Sequence, residues 1–494
     1  MAGIRSMSVW IWILWGSLAG HSNGEEGILF RVRDFGAVGD ARADDTEAFQ
    51  RALDRAAETG GTVLVDPVEP GGGYVLTDTV VLPQGTTLMG SWAGMPFVAW
   101  EGVPREIQKG AVLLARPAPE SYRGPLKRPL FRLEGGNTLR GLYILYDRQP
   151  WPSDEVLEDA GGPYRYETEE AFAERFVRDH VAPCGPTVWI RPGVASVTVE
   201  DITCGRYYDF LYAPLGGKIV IRRCYLFGYG RAFALREARD VVRISEIHIV
   251  PNVEAPISWK HARLHAAITS GPRNTAFDFG SVDGYSVSDV TVFLCHTGFK
   301  LGATKEAPFL DPITGEEAAF AWGQGPWGSL HNVKLDNCVV GFDCCLGTIL
   351  TNQLTNGMVH VSIRTKDTVE VSGEAVARQA AFLARPLFAG ATFQIQNLSI
   401  SSFRPERVVA SAAMVHEAGG RAFLLDCPSG LPKKDYAQRD EAHLEIMGCV
   451  ASNIPETHLF GATEGTRSQV RIKGFVHNGV SRGDTTLRLA ERKD

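Results

Sequence analysis

Asp209, Arg231, Arg236, Asp278, Lys300 and Asp343 share one local setting: each sits in or beside a short run in which apolar residues alternate with others. Asp278 lies between Phe277 and Phe279, Lys300 between Phe299 and Leu301, and Asp343 between Phe342 and Cys344. Period-two alternation sends neighbours to opposite faces of a strand. If the aromatic residues point inward, the six charges form an outward row of mixed acids and bases. Such a row could run two chemistries. Hydrolysis of a glycosidic bond needs two carboxyl groups about 5–5.5 Å or about 6.5–9.5 Å apart, and Asp278 and Asp343 are the pair. Removal of a proton alpha to a carboxylate needs a base and a cation that holds the enolate. Lys or Arg can supply that base, with Ca²⁺ held by carboxylates as the cation. Ca²⁺ is thus a candidate cofactor if the reaction is a lyase's. Lys300 between two acids is favoured as the ammonium, a clamp rather than a base. Asp343 then transfers the proton, and Asp278 is nucleophile, water activator or Ca²⁺ ligand. Arg231 and Arg236 would centre an arginine-based lyase. His248, His261, His265 and His296 are further candidates, though a lone histidine on a strand is usually structural.

Positioning these residues falls to a repeat. Residues 197–235 say one phrase twice, with Asp201 and Arg223 at the same place 22 residues apart. Each phrase is an alternating run, a polar turn and a second run. It recurs at Leu139–Ile144, Val242–Ile249, Val287–Val292, Val333–Val340, Phe393–Ile400 and Leu444–Ala451, with turn positions Gly141, Glu246, Asp289, Asn337, Asn397 and Gly448. The longer steps read as two coils, some with loop insertions. A propeller would need longer blades, and the Leu/Asn consensus of a leucine-rich repeat is absent. The fold class read here is all-β, a right-handed parallel β-helix, with one domain over 24–494. The position after each turn holds Ile202, Cys224, Ile247, Val290, Cys338, Leu398 and Cys449, which predicts one buried column. The nine cysteines are an odd number and lack metal-ligand spacing, so most read as buried thiols; Cys344–Cys345 beside Cys338 is the one cluster placed to bridge.

Insertions at about 148–186 and 303–329 carry aromatic residues, among them Trp151, Trp322 and Trp327. Ordered loops on a solenoid build its binding face, and rings stack on the C–H face of a pyranose. These three tryptophans, with Arg236 and Asp209, are the expected substrate contacts. Arg222, Arg223, Arg231, Arg236, Arg239 and Arg243 fall within two coils and suggest a local basic patch suited to uronates.

Net charge of −7 gives no nucleic-acid signal and argues against a wholly basic surface. Residues 1–23 have a basic start, an apolar Val9–Ala19 and small residues after it, the pattern of a signal peptide. Too short to span a bilayer, it predicts a secreted or periplasmic protein free of the membrane after cleavage.

The opening carries a resemblance. Asp34-Phe35-Gly36-Ala37, Gly39-Asp40, Asp44-Asp45-Thr46 and Gly60-Gly61-Thr62 stand as in the pectate lyase superfamily, rhamnogalacturonase and epimerase-like branch. Between them Asp44 or Asp45 can cap a short helix, with Glu47 as capping-box partner and Phe49, Leu53 and Ala56 on one face, placed to plug the open end of the core. The resemblance implies a β-helix acting on polysaccharide. The branch includes hydrolases, lyases, epimerase-like proteins and phage fibres, so the reaction stays open. Polygalacturonase-like members place catalytic aspartates where this chain, aligned on Phe210, Phe233, Phe299 and Phe342, holds Tyr208, Arg231, Thr297 and Val340; that set does not carry over. The expectation is a polysaccharide-cleaving lyase or glycoside hydrolase whose substrate includes uronates. The alternative is a non-catalytic glycan-binding or scaffold β-helix.

Overall fold

The computed structural model describes residues 29–92, 110–160, 169–250, 262–303, 308–318, 325–344, 351–361, 368–371, 374–384, 392–402, 421–425, 443–456, 459–462 and 469–488. Residues 1–23, read as a signal peptide, lie outside them. No helix among the described residues is long and apolar enough to cross a membrane.

Successive coils pair in parallel and in register. Val199 lies between Leu139 and Ile221, Ile221 beside Ile244, and Ile244 beside Val287. The chain is a right-handed parallel β-helix, as its alternation predicts. One unit cannot bury its apolar face alone, so each coil covers the next. An inner stack of rings shows this most plainly. Phe233, Phe277, Phe299, Phe342, Phe382 and Phe423 follow one another with centroids 5.1, 4.3, 5.4, 4.7 and 5.8 Å apart. All are buried.

Turns fix the register. Gly141, Asp201, Arg223, Glu246, Asp289, Asn397 and Gly448 all adopt the left-handed conformation expected of turn positions, which Gly and short polar side chains tolerate best. Their side chains ladder between coils: Asn332 Nδ2 donates to Asp289 Oδ1 at 2.7 Å, and Asn397 Nδ2 to Asn356 Oδ1 at 3.1 Å.

Two readings need correction. The buried column runs Ile202, Cys224, Ile247 and Val290, then Val333 and Gly357 before Leu398 and Cys449. Cys338 belongs to a different inward column, between Cys295 and Val361. The turn of that coil is Asn332, and Asn337 is a second left-handed residue at the next corner. Nor, apart from the step from Asn337 to Asn397, which passes through a coil at Asn356, are the long steps two coils. Val242–Ile249 pairs directly with Tyr285–Val292, so that step is one coil carrying the helix Ala262–Thr269. Seven described cysteines, Cys338 and Cys344 among them, are buried outside any disulfide, and Cys345 lies outside the described residues.

The helix Thr46–Ala57 buries Phe49, Leu53 and Ala56 against strands Leu29–Arg31, Thr62–Val65 and Val80–Leu82. No capping box forms. Asp45 stands at the N-cap without a side-chain cap bond. Its buried carboxylate accepts instead from the backbone N–H groups of Val38, Gly39 and Val75 at 2.6, 3.3 and 3.2 Å, tying the opening motif to the first coil. Glu47 pairs forward with Arg51 at 3.4 Å.

The first insertion folds onto the β-helix as helices Asp154–Asp159 and Glu169–His180, the latter against Ala262–Thr269. The second forms a hairpin, Phe309–Leu310 pairing with Glu317–Ala318. Trp322 lies outside the described residues.

Candidate active site

Asp278, Lys300 and Asp343 stand in one outward column, each one coil from the next. Lys300 pairs in register with Asp343, and its Nζ is 3.8 Å from Asp278 Oδ1. Beneath them Phe277, Phe299 and Phe342 stack inward, which is why alternation presents the charges on the opposite face. In the other direction the column passes through Ala234 and Tyr212 to Trp189.

Arg231 joins this column to Asp209. Its backbone N–H donates to Asp209 Oδ1 at 2.8 Å, and its Nε and Nη2 approach the two carboxylate oxygens at 3.4 Å each. Its Nη1 reaches Asp278 Oδ2 at 3.2 Å. Burial of the guanidinium works against its charge, but the carboxylates of Asp209 and Asp278 outweigh that and raise its pKa. A guanidinium so held stays charged near neutral pH. The register here also differs from the sequence alignment. Leu211, not Phe210, pairs with Phe233, and Phe210 N donates to Arg231 O. Asp209 rather than Tyr208 therefore stands beside Arg231.

The row is not an open groove. The hairpin of the second insertion roofs it. Lys300 Nζ donates to Pro308 O at 2.6 Å, and Arg231 Nη1 donates to Leu310 O. Phe309 is fully buried among Tyr212, Ala234 and Ala303. Asp311 accepts from the Tyr212 hydroxyl, and Arg236 Nη1 is 3.9 Å from the same oxygen. Burial, then Asp311, pushes the Tyr212 hydroxyl pKa up. Side-chain exposure falls to 5% for Asp278, 12% for Arg231 and 15% for Lys300. Asp278 Oδ1 is buried and accepts no hydrogen bond from the described residues.

Other candidates fare differently. Trp151 is buried, its ring 4.7 Å from that of Phe227 and 5.8 Å from that of His265, so it packs the first insertion onto the β-helix and is no substrate contact. Trp327 opens the strand Trp327–Cys344 in register with Asp283 and is 37% exposed. Arg222 and Arg223 are not a free basic patch. Arg222 Nε donates to Glu200, and Arg223 pairs with Asp201 at 2.6 and 2.9 Å. His265 is buried with Nδ1 3.1 Å from Pro152 O, and burial pushes its pKa down to about 4. His248 stacks on Tyr225 at 4.7 Å; burial, then Lys334, lowers its pKa. His296 contacts Thr297 Oγ1 through Nδ1, and His261 lies outside the described residues. Among the described residues no group of three or more His, Cys, Asp or Glu is arranged to hold a metal ion.

Sequence reasoning missed Trp189 and Tyr212. Both lie in the same outward column, and counting back one coil from Ala234 would have found Tyr212. It also missed Lys127, whose Nζ sits 5.0 Å above the Tyr208 ring; no periodic pattern marks that position.

Residues 29–107 match the family model described as "Rhamnogalacturonase A/epimerase, pectate lyase-like". No protein of curated function matches the chain. Among solved structures, the chain is similar to a hyperthermoactive exopolygalacturonase from Thermotoga maritima, at 13% identity over 93% of this chain and 94% of that one, TM-score 0.41. It is similar to the A-module of a mannuronan C-5 epimerase from Azotobacter vinelandii, at 14% identity over 91% and 95%, TM-score 0.43. A third likeness is to the endo-xylogalacturonan hydrolase from Aspergillus tubingensis, at 12% identity over 91% and 92%, TM-score 0.41. At these identities the likeness is one of fold. The opening motif and the family match together identify the chain as similar, over residues 29–107, to the rhamnogalacturonase A/epimerase, pectate lyase-like family.

Proposed function

We propose that this is an exported carbohydrate-active enzyme that cleaves a polysaccharide by hydrolysis, with Asp278 and Asp343 as its carboxyl pair. The observation that carries the reading is the column itself: two acids with Lys300 between them. Two coil steps separate their backbones by roughly 9.5 Å, the upper end of the spacing of about 6.5–9.5 Å that leaves room for an attacking water. Asp278 faces both Arg231 and Lys300 and suits the carboxylate that orients that water; Asp343 suits the proton donor. Arg231 and Lys300 add charge that would favour a uronate-containing substrate. The family match over the opening segment supports the polysaccharide class, and hydrolysis of this kind calls for no Ca²⁺.

One observation favours the second reading, a non-catalytic glycan-binding or scaffold protein: the hairpin covers the row and takes hydrogen bonds from both cations. A panel of polysaccharides separates the two. The panel is read for new reducing ends and for unsaturated uronate products. Hydrolysis gives the first without the second, a lyase gives both, and a scaffold gives neither.

A further inference from the structure

The outward column that holds the acids continues into aromatic residues. Trp189, Tyr212, Ala234, Asp278, Lys300 and Asp343 lie in register along six coils. The hairpin Phe309–Ala318 lies over this column, with the Phe309 ring stacked on Tyr212 at 6.3 Å and 29°. Trp189, Ile313 and Ala318 pack on the same small cluster, which is separate from the interior of the β-helix.

The cover is imperfect. Trp189 Nε1, Arg236 Nε and Asp278 Oδ1 are all buried and find no hydrogen-bond partner among the described residues. All three lie beside this hairpin or the residues it holds: Trp189 in its apolar cluster, Arg236 against Asp311, and Asp278 against Arg231 and Lys300. A buried donor or acceptor left unpaired costs about 1–3 kcal/mol. Three of them under one element, a donor beside an aromatic ring, a second donor and an acceptor, match the groups that sugar hydroxyls satisfy. Meanwhile Pro308 O and Leu310 O hold Lys300 and Arg231 as ligand oxygens would.

We propose that the column from Trp189 to Asp278 is a sugar-binding track and that the hairpin Phe309–Ala318, with Pro308 leading into it, is a built-in competitor for it. Phe309 occupies the place of a pyranose ring against Tyr212, and the two carbonyls occupy the places of its oxygens. A glycan binds by displacing the hairpin, and its hydroxyls then satisfy Trp189 Nε1, Arg236 Nε and Asp278 Oδ1. This rests on the glycan reading above but not on catalysis.

The test uses binding, so that it is separable from the chemistry. In one variant residues 308–318 are replaced by a short Gly-Ser linker, and affinity for oligogalacturonate and for a neutral xylo-oligosaccharide is measured by calorimetry. The closed hairpin lowers apparent affinity by the fraction of open molecules, so the shortened chain should bind one of the probes about tenfold more tightly than the parent. Adding Trp189→Ala to the shortened chain should abolish the gain. A shortened chain that folds and binds neither probe better than the parent overturns the proposal. Should that chain not fold, amide hydrogen exchange of the unaltered protein decides. A saturating probe should speed exchange in Phe309–Ala318, and an unchanged hairpin overturns the proposal. Tighter binding with no cleavage in any chain would leave the track standing and remove the hydrolase.

Discussion

Lys300 Nζ lies 3.8 Å from Asp278 Oδ1, the oxygen of that carboxylate that accepts no hydrogen bond from the described residues, while the other takes Arg231 Nη1 at 3.2 Å. Asp278 is thus the shared anion of two part-buried cations, and a large part of the local electrostatics depends on it.

Removing that charge leaves Arg231 and Lys300 with less compensation in a dry setting, and breaking a buried pair this way costs about 3–5 kcal/mol. Asp278→Asn should therefore destabilise by about 3 kcal/mol, whereas Asp343→Asn should cost about 1 kcal/mol. Denaturant unfolding of both variants measures the difference. Equal losses would contradict the shared-anion arrangement.

His265 gives the fold an acid weakness. Burial holds it neutral, with its pKa down at about 4 against an ordinary 6.5. The unfolded chain takes up the proton first, so stability is lost as pH falls from about 6.5 to about 4, by about 3 kcal/mol in all. Asp201, held low by the Arg223 guanidinium, contributes stability above its ordinary pKa of 3.8 and loses it only at lower pH. Melting temperature followed across pH 4–7 should show the drop, and His265→Phe should flatten it. A slope unchanged by that substitution would place the acid sensitivity elsewhere.

The two tryptophans should part company. Trp151→Ala removes a buried ring and should cost about 3–5 kcal/mol. Trp327→Ala should stay within about 1 kcal/mol, since its ring is partly open. Thermal melts of the two single variants check this.

Cys338 is wholly buried beside Cys295. Cys338→Asp forces an unpaired carboxylate into that column and should cost more than about 4 kcal/mol, while Cys338→Ala should cost about 1 kcal/mol. The measured quantity is the yield of folded protein and its melting temperature. A well-folded Asp variant would mean that the column is wetter than its packing implies.

Much of this was legible in the residues. Alternation and the turn slot gave seven of the turn positions; Gly, Asp and Asn, which meet a local backbone demand there, fill five of them, and Arg223 and Glu246 followed from the repeat alone. The same alternation set Asp278, Lys300 and Asp343 side by side. It slipped at Asn337, where two turn-forming asparagines five residues apart both adopt left-handed φ and only pairing with Asp289 singles out Asn332. The long steps misled because an insertion adds residues without adding a coil. Trp151 and the hairpin were not legible at all: residue type records that a ring is apolar, not which surface it lands on. Trp189 and Phe309 join one apolar cluster across about 120 residues of chain, an association no periodicity encodes.

The most direct measurement is reducing-end release from the polysaccharide the wild type cleaves, by wild type, Asp278→Asn and Asp343→Asn, with folding of each checked by its melt. The account predicts cleavage without unsaturated products, inversion at the anomeric carbon, and loss of about a thousandfold or more in each variant, since each removes one of two carboxyl roles. Activity that survives both substitutions, or products carrying the double bond of an elimination, would contradict it.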